Sequence, residues 1–353
     1  MTPGPTPPRD RLEAILEGMA EGVLVTDADG VVVHANRALR GLLGVGPEVL
    51  GRPLTEAIAQ EGVQGLVELA EAERESVQEE LPVRGRRVLV RVTPIEDPTT
   101  GIVAVLSDVT ELRRLERIRR DFVANVSHEL RTPVAAVRAA TETLLSGALD
   151  RADTAREFVG IVDRHAERLH RLVEDLLELS RLESGEVRHL PEPVRLRDAV
   201  TRALELFSLA VKARGTRLTA SVDPAVDCVE ATAHALEHIL SNLVDNAIKY
   251  SPEGATVRVT AAPHGDRVRL SVVDTGPGVE ARHLPRLFER FYRADKSRSR
   301  DLGGTGLGLA IVKHLAEAIG ATVSVESTPG EGTSFHVDLR PSAGPAAEPS
   351  RDE

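Results

Sequence analysis

Two periodicities divide the chain. From Thr154 to Ser184 the apolar residues Phe158, Val162, Leu169, Leu172, Leu176 and Leu179 recur at alternating four- and three-residue intervals, with His165 at the remaining position. That spacing predicts a helix with one apolar seam. The charged stretch from Thr110 to about Gly147 predicts a long helix before it, broken around GALDRAD. Two helices alone cannot enclose a core. The pattern therefore predicts an antiparallel hairpin, spanning 111–186, that dimerises into a four-helix bundle. His165 in the seam reads as structural.

Strict alternation governs the last third. TVRVT, RVRLSVVD, TVSVES and SFHVDL each place apolar residues at every second position. Such runs predict strands with one buried face, in an antiparallel or mixed sheet with helices on one side. With helices near Asp198–Arg214 and Ala231–Tyr250 and a strand near Thr216–Val222, residues 187–341 read as an α/β two-layer sandwich. LPEPV, with Pro191 and Pro193, reads as a stiff linker before it.

Near the N-terminus a short helix precedes GVLVT, DADG and VVVHAN, which together predict a β-hairpin. Asn36 suits the N-cap of a helix beginning at Arg37. Two later strand-like runs, LPVRGRRVLVRVTPI and GIVAVLSDV, complete a small α+β domain over 10–110. Residues 1–9 and 342–353 are proline-rich and read as disordered tails. The fold class is α+β multidomain.

Composition narrows the function. A formal net charge of -11 argues against nonspecific nucleic-acid binding, which depends on Lys and Arg neutralising phosphates. One cysteine, Cys228, excludes an intrachain disulfide and a cysteine-based zinc cluster. No run approaches the ~18–20 apolar residues of a membrane span. MTPGPTPPRD has no apolar signal segment. The expectation is a soluble, cytoplasmic protein with no direct membrane span, associated with membranes only through a partner or an anchor outside this sequence.

The stretch NVSHELRTP, Asn125–Pro133, puts a histidine on the first long helix. At about 100° per residue, Val126 and Leu130 lie opposite His128, so the imidazole points outward. Pro133 lacks the N–H that would bond the Glu129 carbonyl, which predicts a loosened helix beside the histidine. With an ordinary pKa of ~6.5, much of the imidazole is neutral near pH 7 and able to act as a nucleophile. Glu129 could hold its second ring nitrogen as positive charge develops. A solvent-facing histidine on a polar helix would satisfy the same pattern.

Four segments of the sandwich suggest a nucleotide site. In NLVDNAIKYS, Asn242 and Asn246 lie one turn apart, and amide oxygens shared with water suit Mg²⁺; capping or surface roles would explain either alone. In DTGPG, Asp274 could accept from an exocyclic amine while Gly276 and Gly278 let a planar base come close; alone it could be a turn. FERFYR holds three of the eight Phe and Tyr residues. GGTGLGLAIVKHL offers Gly304, Thr305, Gly306, Leu307 and Gly308 ahead of a helix, a backbone cradle for phosphate. It is neither a P-loop nor a dinucleotide fingerprint. The polar RADKSRSRDLGG before it reads as a lid, and GEGTSF as a structural return to a strand.

FVANVSHELRTP resembles the histidine box of sensor histidine kinases. The four later segments, in this order, resemble the asparagine, first glycine, phenylalanine and second glycine boxes of their ATP-binding domain, the Bergerat or GHKL fold shared in part with gyrase, Hsp90 and MutL. Phosphate-regulon sensors look closest. The middle of the first glycine box is Thr-Gly-Pro, which keeps the Asp-x-Gly-x-Gly pattern. EGVLVTDADGVVVHAN and SDVTEL resemble a PAS sensor module.

The resemblance implies ATP and Mg²⁺ as ligands, with Asp274 reading adenine, Tyr250 packing near it and Lys249 near the phosphates. It implies that His128 is phosphorylated with help from Glu129, and that the group passes to an aspartate on a response regulator receiver domain. It further implies that Thr132 positions a water for dephosphorylating that partner. An ATPase machine of the gyrase kind would lack the histidine hairpin. An inactive scaffold would not need all four boxes intact.

Overall fold

The computed structural model describes residues 8–95, 100–184, 191–295 and 304–342. Of the expected tails (1–9 and 342–353), residues 1–7 and 343–353 lie outside the described residues, as do 296–303 of the expected lid and Leu190 of the expected linker, while Pro8 and Arg9 begin a helix and Ser342 ends a strand. The chain divides into two compact units, Met1–Asp121 and Phe122–Glu353.

The N-terminal unit comprises α1 (Pro8–Gly18), β1 (Gly22–Asp27), β2 (Val32–Ala35), α2 (Arg37–Leu43), α3 (Leu54–Ala57), α4 (Glu61–Glu73), β3 (Val77–Val83), β4 (Arg86–Pro94) and β5 (Thr100–Asp108). Its antiparallel sheet runs β2-β1-β5-β4-β3. The β1–β2 hairpin turns because Asp27 Oδ1 accepts the amides of Asp29 and Val31, at 3.1 and 2.9 Å. Asn36 caps α2, its Oδ1 accepting from Leu39 N at 2.9 Å. The same oxygen accepts from Val23 N, and Nδ2 donates to the carbonyls of Leu16 and Glu21.

The two strand-like runs after α2 resolve into three strands. The first half of β3, Val77–Glu80, has no apolar alternation because β3 is an edge strand whose residues there are partly exposed. Helix α4 buries Val63, Leu66, Val67 and Ala70 on one stripe against this sheet.

Helix α5 (Thr110–Leu145) begins where Asp108 Oδ1 accepts the Thr110 amide at 3.0 Å. Thr110 Oγ1 in turn accepts from Arg87 N of β4 at 2.9 Å. One turn on, Arg113 pairs with Glu80 of β3. That pairing holds the Glu80 carboxyl below its ordinary range. The first turn of α5 is thereby tied to β3, β4 and the end of β5.

The C-terminal unit continues α5 from Phe122 and adds α6 (Ala152–Ser184), β6 (Glu192–Arg195), α7 (Leu196–Leu206), α8 (Ser208–Arg214), β7 (Arg217–Val222), β8 (Cys228–Ala231), α9 (Ala233–Tyr250), β9 (Thr256–His264), β10 (Arg267–Asp274), α10 (Gly308–Ala318), β11 (Thr322–Thr328), β12 (Gly332–Leu339) and β13 (Pro341–Ser342). A five-stranded sheet runs β11-β12-β10-β9-β7, with β7 parallel to β9 and the other pairs antiparallel. It is the mixed sheet that the alternation predicts.

Two expectations are corrected. Pro193 is not in a linker: it lies in β6, opposite Glu230 of β8, on the edge of a second sheet of order β13-β8-β6. An edge strand tolerates proline because its outward side needs no ladder donor. The apolar seam of α6 is also not reserved for a bundle. Leu172 and Leu179 are buried in the same core as Leu236, Leu240 and Leu315 of the sandwich. Phe158, Val162, His165, Leu169 and Leu176 are half-buried.

Candidate active site

Helix α9 carries the first part of the site. Leu236, Ile239, Leu240, Leu243, Val244, Ala247 and Ile248 form its buried stripe. Each such large aliphatic side chain contributes roughly 1.5–3 kcal/mol when removed from water. With that stripe fixed inward, Asn242, Asn246, Lys249 and Tyr250 fall along the half-exposed edge. Asn242 Nδ2 donates to the His238 carbonyl at 2.9 Å, which turns its oxygen the other way. That oxygen is aimed at Gly308: a Cβ there would lie 2.5 Å from it. Lys249 pairs with Asp245 one turn back.

The strand β10 ends on Asp274, which is 8 % exposed. Burial pushes its carboxyl up, and the backbone amides of Gly276 and Thr333 partly offset this. Gly276 N donates to Asp274 Oδ1 at 2.7 Å. Gly278 has φ +69, and a Cβ there would lie 2.1 Å from the Thr328 carbonyl oxygen, so only glycine fits this turn.

Phe291 holds φ 61, a left-handed conformation rare for a bulky residue. Its amide donates to the Gly306 carbonyl at 2.8 Å, so the aromatic segment and the second glycine segment are hydrogen-bonded together. Tyr292 is anchored by its hydroxyl at 2.6 Å from His283 Nδ1 and by the Arg286 guanidinium 4.2 Å over its ring.

Between these segments lies a cavity of about 440 Å³, within the ~300–1,000 Å³ usual for small-molecule sites. Asn242, Asn246, Lys249, Tyr250, Asp274, Gly278, Gly304, Thr305, Gly306 and Gly308 all line it. Gly276 is not among the lining residues; it is linked to the cavity only through its amide, which donates to Asp274. Leu307 does not line it; that side chain is fully buried and anchors the start of α10.

On α5, His128 is exposed while Val126 and Leu130 are half-buried. The outward direction is as the helical spacing predicts. The helix continues through Pro133, which is itself buried. Thr132 Oγ1 donates to the His128 carbonyl at 3.3 Å. Glu129 sits elsewhere than its proposed pairing with the imidazole would need. Its Oε2 accepts from Arg168 of α6 at 2.8 Å and from Arg293 at 3.3 Å. Arg293 also donates to the Gly304 carbonyl.

The sequence reading missed these two arginines and Asp175. Asp175 of α6 accepts from the Thr305 hydroxyl at 2.6 Å, and burial pushes its carboxyl up. Phe122, the first residue of the histidine string, packs against Phe291 with the rings tilted at 48° and 5.8 Å between centroids. The position of Arg293, closing FERFYR, was the one available hint. The others join the site only through contact with residues distant in sequence.

Family models match three segments: a PAS fold at residues 10–109, a His Kinase A (phospho-acceptor) domain at 118–185, and a histidine kinase-, DNA gyrase B- and HSP90-like ATPase at 231–343. The chain is 35% identical over 342 residues to the phosphate regulon sensor protein PhoR of Pseudomonas aeruginosa, covering 96% of this chain and 76% of that protein. It is 33% identical over 338 residues to the sensor histidine kinase WalK of Bacillus subtilis, covering 94% of this chain and 55% of that protein. The chain thus spans about half the length of that relative. A solved structure of the histidine kinase ThkA with the response regulator protein TrrA shares the fold at a TM-score of 0.52 and 22% identity, covering 93% of this chain and 98% of that one. No helix among the described residues is long and apolar enough to cross a membrane. This chain belongs to the sensor histidine kinases of two-component systems.

Proposed function

We propose that the chain is an ATP-dependent protein-histidine kinase that phosphorylates itself on His128 and passes the phosphoryl group to an aspartate of a response regulator receiver domain. The observation that carries this reading is a pairing within one unit: an exposed histidine on α5, and a cavity lined by all four nucleotide segments. The neutral His128 nitrogen attacks the γ-phosphorus as the bond to the bridging oxygen of ADP breaks. Such transfers depend on positioning and electrostatics. His128 is not among the residues lining the cavity, so transfer requires a rearrangement of the sandwich on the hairpin, or the histidine of a second copy.

Asp274 and Tyr250 would hold the adenine, and Gly304, Thr305, Gly306 and Gly308 the phosphates, with Lys249 nearby. The donor set fits Mg²⁺ as ATP's counterion: Asn242 presents a neutral oxygen toward the start of α10, with Asn246 one turn along the same cavity wall. When bound, the ion would neutralise phosphate charge. Glu129 would assist His128 once released from its arginines. Thr132, one turn from His128, would serve dephosphorylation of the partner.

In this reading residues 10–110 form the sensor, 111–186 the dimerising and phosphotransfer hairpin, and 187–341 the catalytic domain, in a cytoplasmic homodimer. Exposed apolar residues along both helices, among them Val123 and Val134 on α5 and Val159, Val173 and Leu177 on α6, support dimerisation. The test is incubation with γ-labelled ATP and Mg²⁺. Acid-labile label is expected on the wild type and none on His128→Gln. Equal labelling of both would overturn the assignment.

A further inference from the structure

Helix α9 begins with a feature that the nucleotide site does not use. His234 and His238 are one turn apart, and their ring centroids lie 4.2 Å from each other at 45°. From α6, Glu178 reaches across to them: its Oε1 is 3.2 Å from His234 Nε2. One ligand atom from each of the three side chains lies within 4.8 Å of the others.

Geometry and chemistry both favour a transition metal. Bonds of ~2.0–2.2 Å from Zn²⁺ to His nitrogen and carboxylate oxygen, at tetrahedral angles, put neighbouring ligand atoms roughly 3.3 Å apart. The His234–Glu178 separation of 3.2 Å already meets this, and the His238 ligand atom lies within 4.8 Å of both. Two imidazoles and one carboxylate are borderline ligands, suited to Zn²⁺ or Co²⁺ and poorly suited to the all-oxygen preference of Mg²⁺. The His234 side chain is 53% exposed, which gives an ion a way in and leaves a fourth position for water, whereas Glu178 is only 14% exposed. His238 is half-buried against the His234 ring.

We propose that Glu178, His234 and His238 form a zinc-class metal site that clips α9 to α6. The site is independent of the nucleotide reading. Its consequence is mechanical: α9 also carries Asn242 and Asn246, so a bound ion pins the nucleotide-holding helix to the hairpin. The same α6 face carries Asp175, which already holds Thr305. The clip therefore reinforces that docked arrangement.

The test is titration of the full chain with Co²⁺, followed by its visible absorption. One equivalent per chain is expected to give the strong bands of four-coordinate cobalt, displaced by Zn²⁺ and untouched by excess Mg²⁺. His238→Gln and His234→Gln should lose the endpoint. Glu178→Gln should weaken it and also abolish metal-induced slowing of amide exchange in α6. Metal-free thermal melts show whether each variant is folded. Failure of the wild type to saturate, or a full endpoint in folded His234→Gln or Glu178→Gln, would overturn the site. Because the readout uses neither ATP nor His128, its failure leaves the kinase reading standing, and the reverse also holds.

Discussion

Arg293 donates to Glu129 at 3.3 Å, joining residues 164 positions apart in the chain. One belongs to the segment beside the nucleotide cavity, the other follows the proposed phosphoacceptor. Arg293 is 7% exposed and Glu129 24% exposed, and Arg168 completes the cluster. A residue expected to help the histidine is instead held by two guanidiniums. This arrangement restrains Glu129 and the cavity loop together.

Removing the carboxylate charge should release that restraint. Hydrogen bonds to charged groups contribute about 1.5–3 kcal/mol each. Glu129→Gln is expected to destabilise the C-terminal unit by about 2 kcal/mol. It should also speed amide exchange at Gly306 and Phe291. Denaturant midpoints and exchange rates check this; unchanged exchange in that loop would refute the coupling.

Gly308 offers a separation of function from stability. An added Cβ would meet the end of the Asn242 side chain at 2.5 Å, and that amide can rotate away. Gly308→Ala is therefore expected to change stability by no more than about 1 kcal/mol. It should weaken Mg²⁺-dependent nucleotide binding at least about tenfold, the equivalent of one lost hydrogen bond. Calorimetric titration with a non-hydrolysable ATP analogue, beside a thermal melt, measures both; undiminished binding would show that Asn242 does not face the ligand.

Asp175 predicts a pH dependence with a definite sign. Burial raises its folded-state pKa above the ordinary carboxylate value, so in that window the folded chain binds more protons than the unfolded one. Its contribution to stability is therefore lost as pH rises through the unfolded pKa near 3.9 toward the folded value. Asparagine carries no such charge. Asp175→Asn should gain stability relative to wild type on going from about pH 4 to neutrality. Melting temperatures across that range test it; a constant difference would mean that the carboxylate is not desolvated.

Asn36 is fully buried and makes four hydrogen bonds that hold α1, β1 and α2. Asn36→Ala removes an N-cap and orphans buried amide and carbonyl groups. An expected cost of about 3 kcal/mol follows from the cap and the unsatisfied groups together. It should appear as a lowered unfolding midpoint of the N-terminal unit, with cobalt or nucleotide binding by the other unit unaffected. A loss under about 1 kcal/mol would mean that water replaces the amide.

Local pattern made much of the chain legible. Asn242 and Asn246 were legible as neighbours one turn apart on α9, because a 3.6-residue period brings residues four apart onto one face. Alternation in RVRLSVVD placed Asp274 at a strand end, and the paired strands bear this out. Asn36 was legible as a cap because capping is a contact of neighbours. Less was legible where flanking elements are polar: β3 lacks alternation at an exposed edge, and Pro193 concealed an edge strand.

The sequence by itself determined most of the helices and strands, that His128 faces out, and most of the predicted residues that line the cavity. Those follow from periodicity, steric limits of glycine and proline, and side-chain chemistry, all local properties. Tertiary structure alone decided what the α6 leucines cover, that Glu129 meets Arg168 and Arg293, that Asp175 takes Thr305, and that Glu178 approaches two histidines of α9. An apolar stripe specifies that it must be covered but not by what, and a charge carries no record of its partner. Those pairings arise only when segments far apart in the chain are packed together.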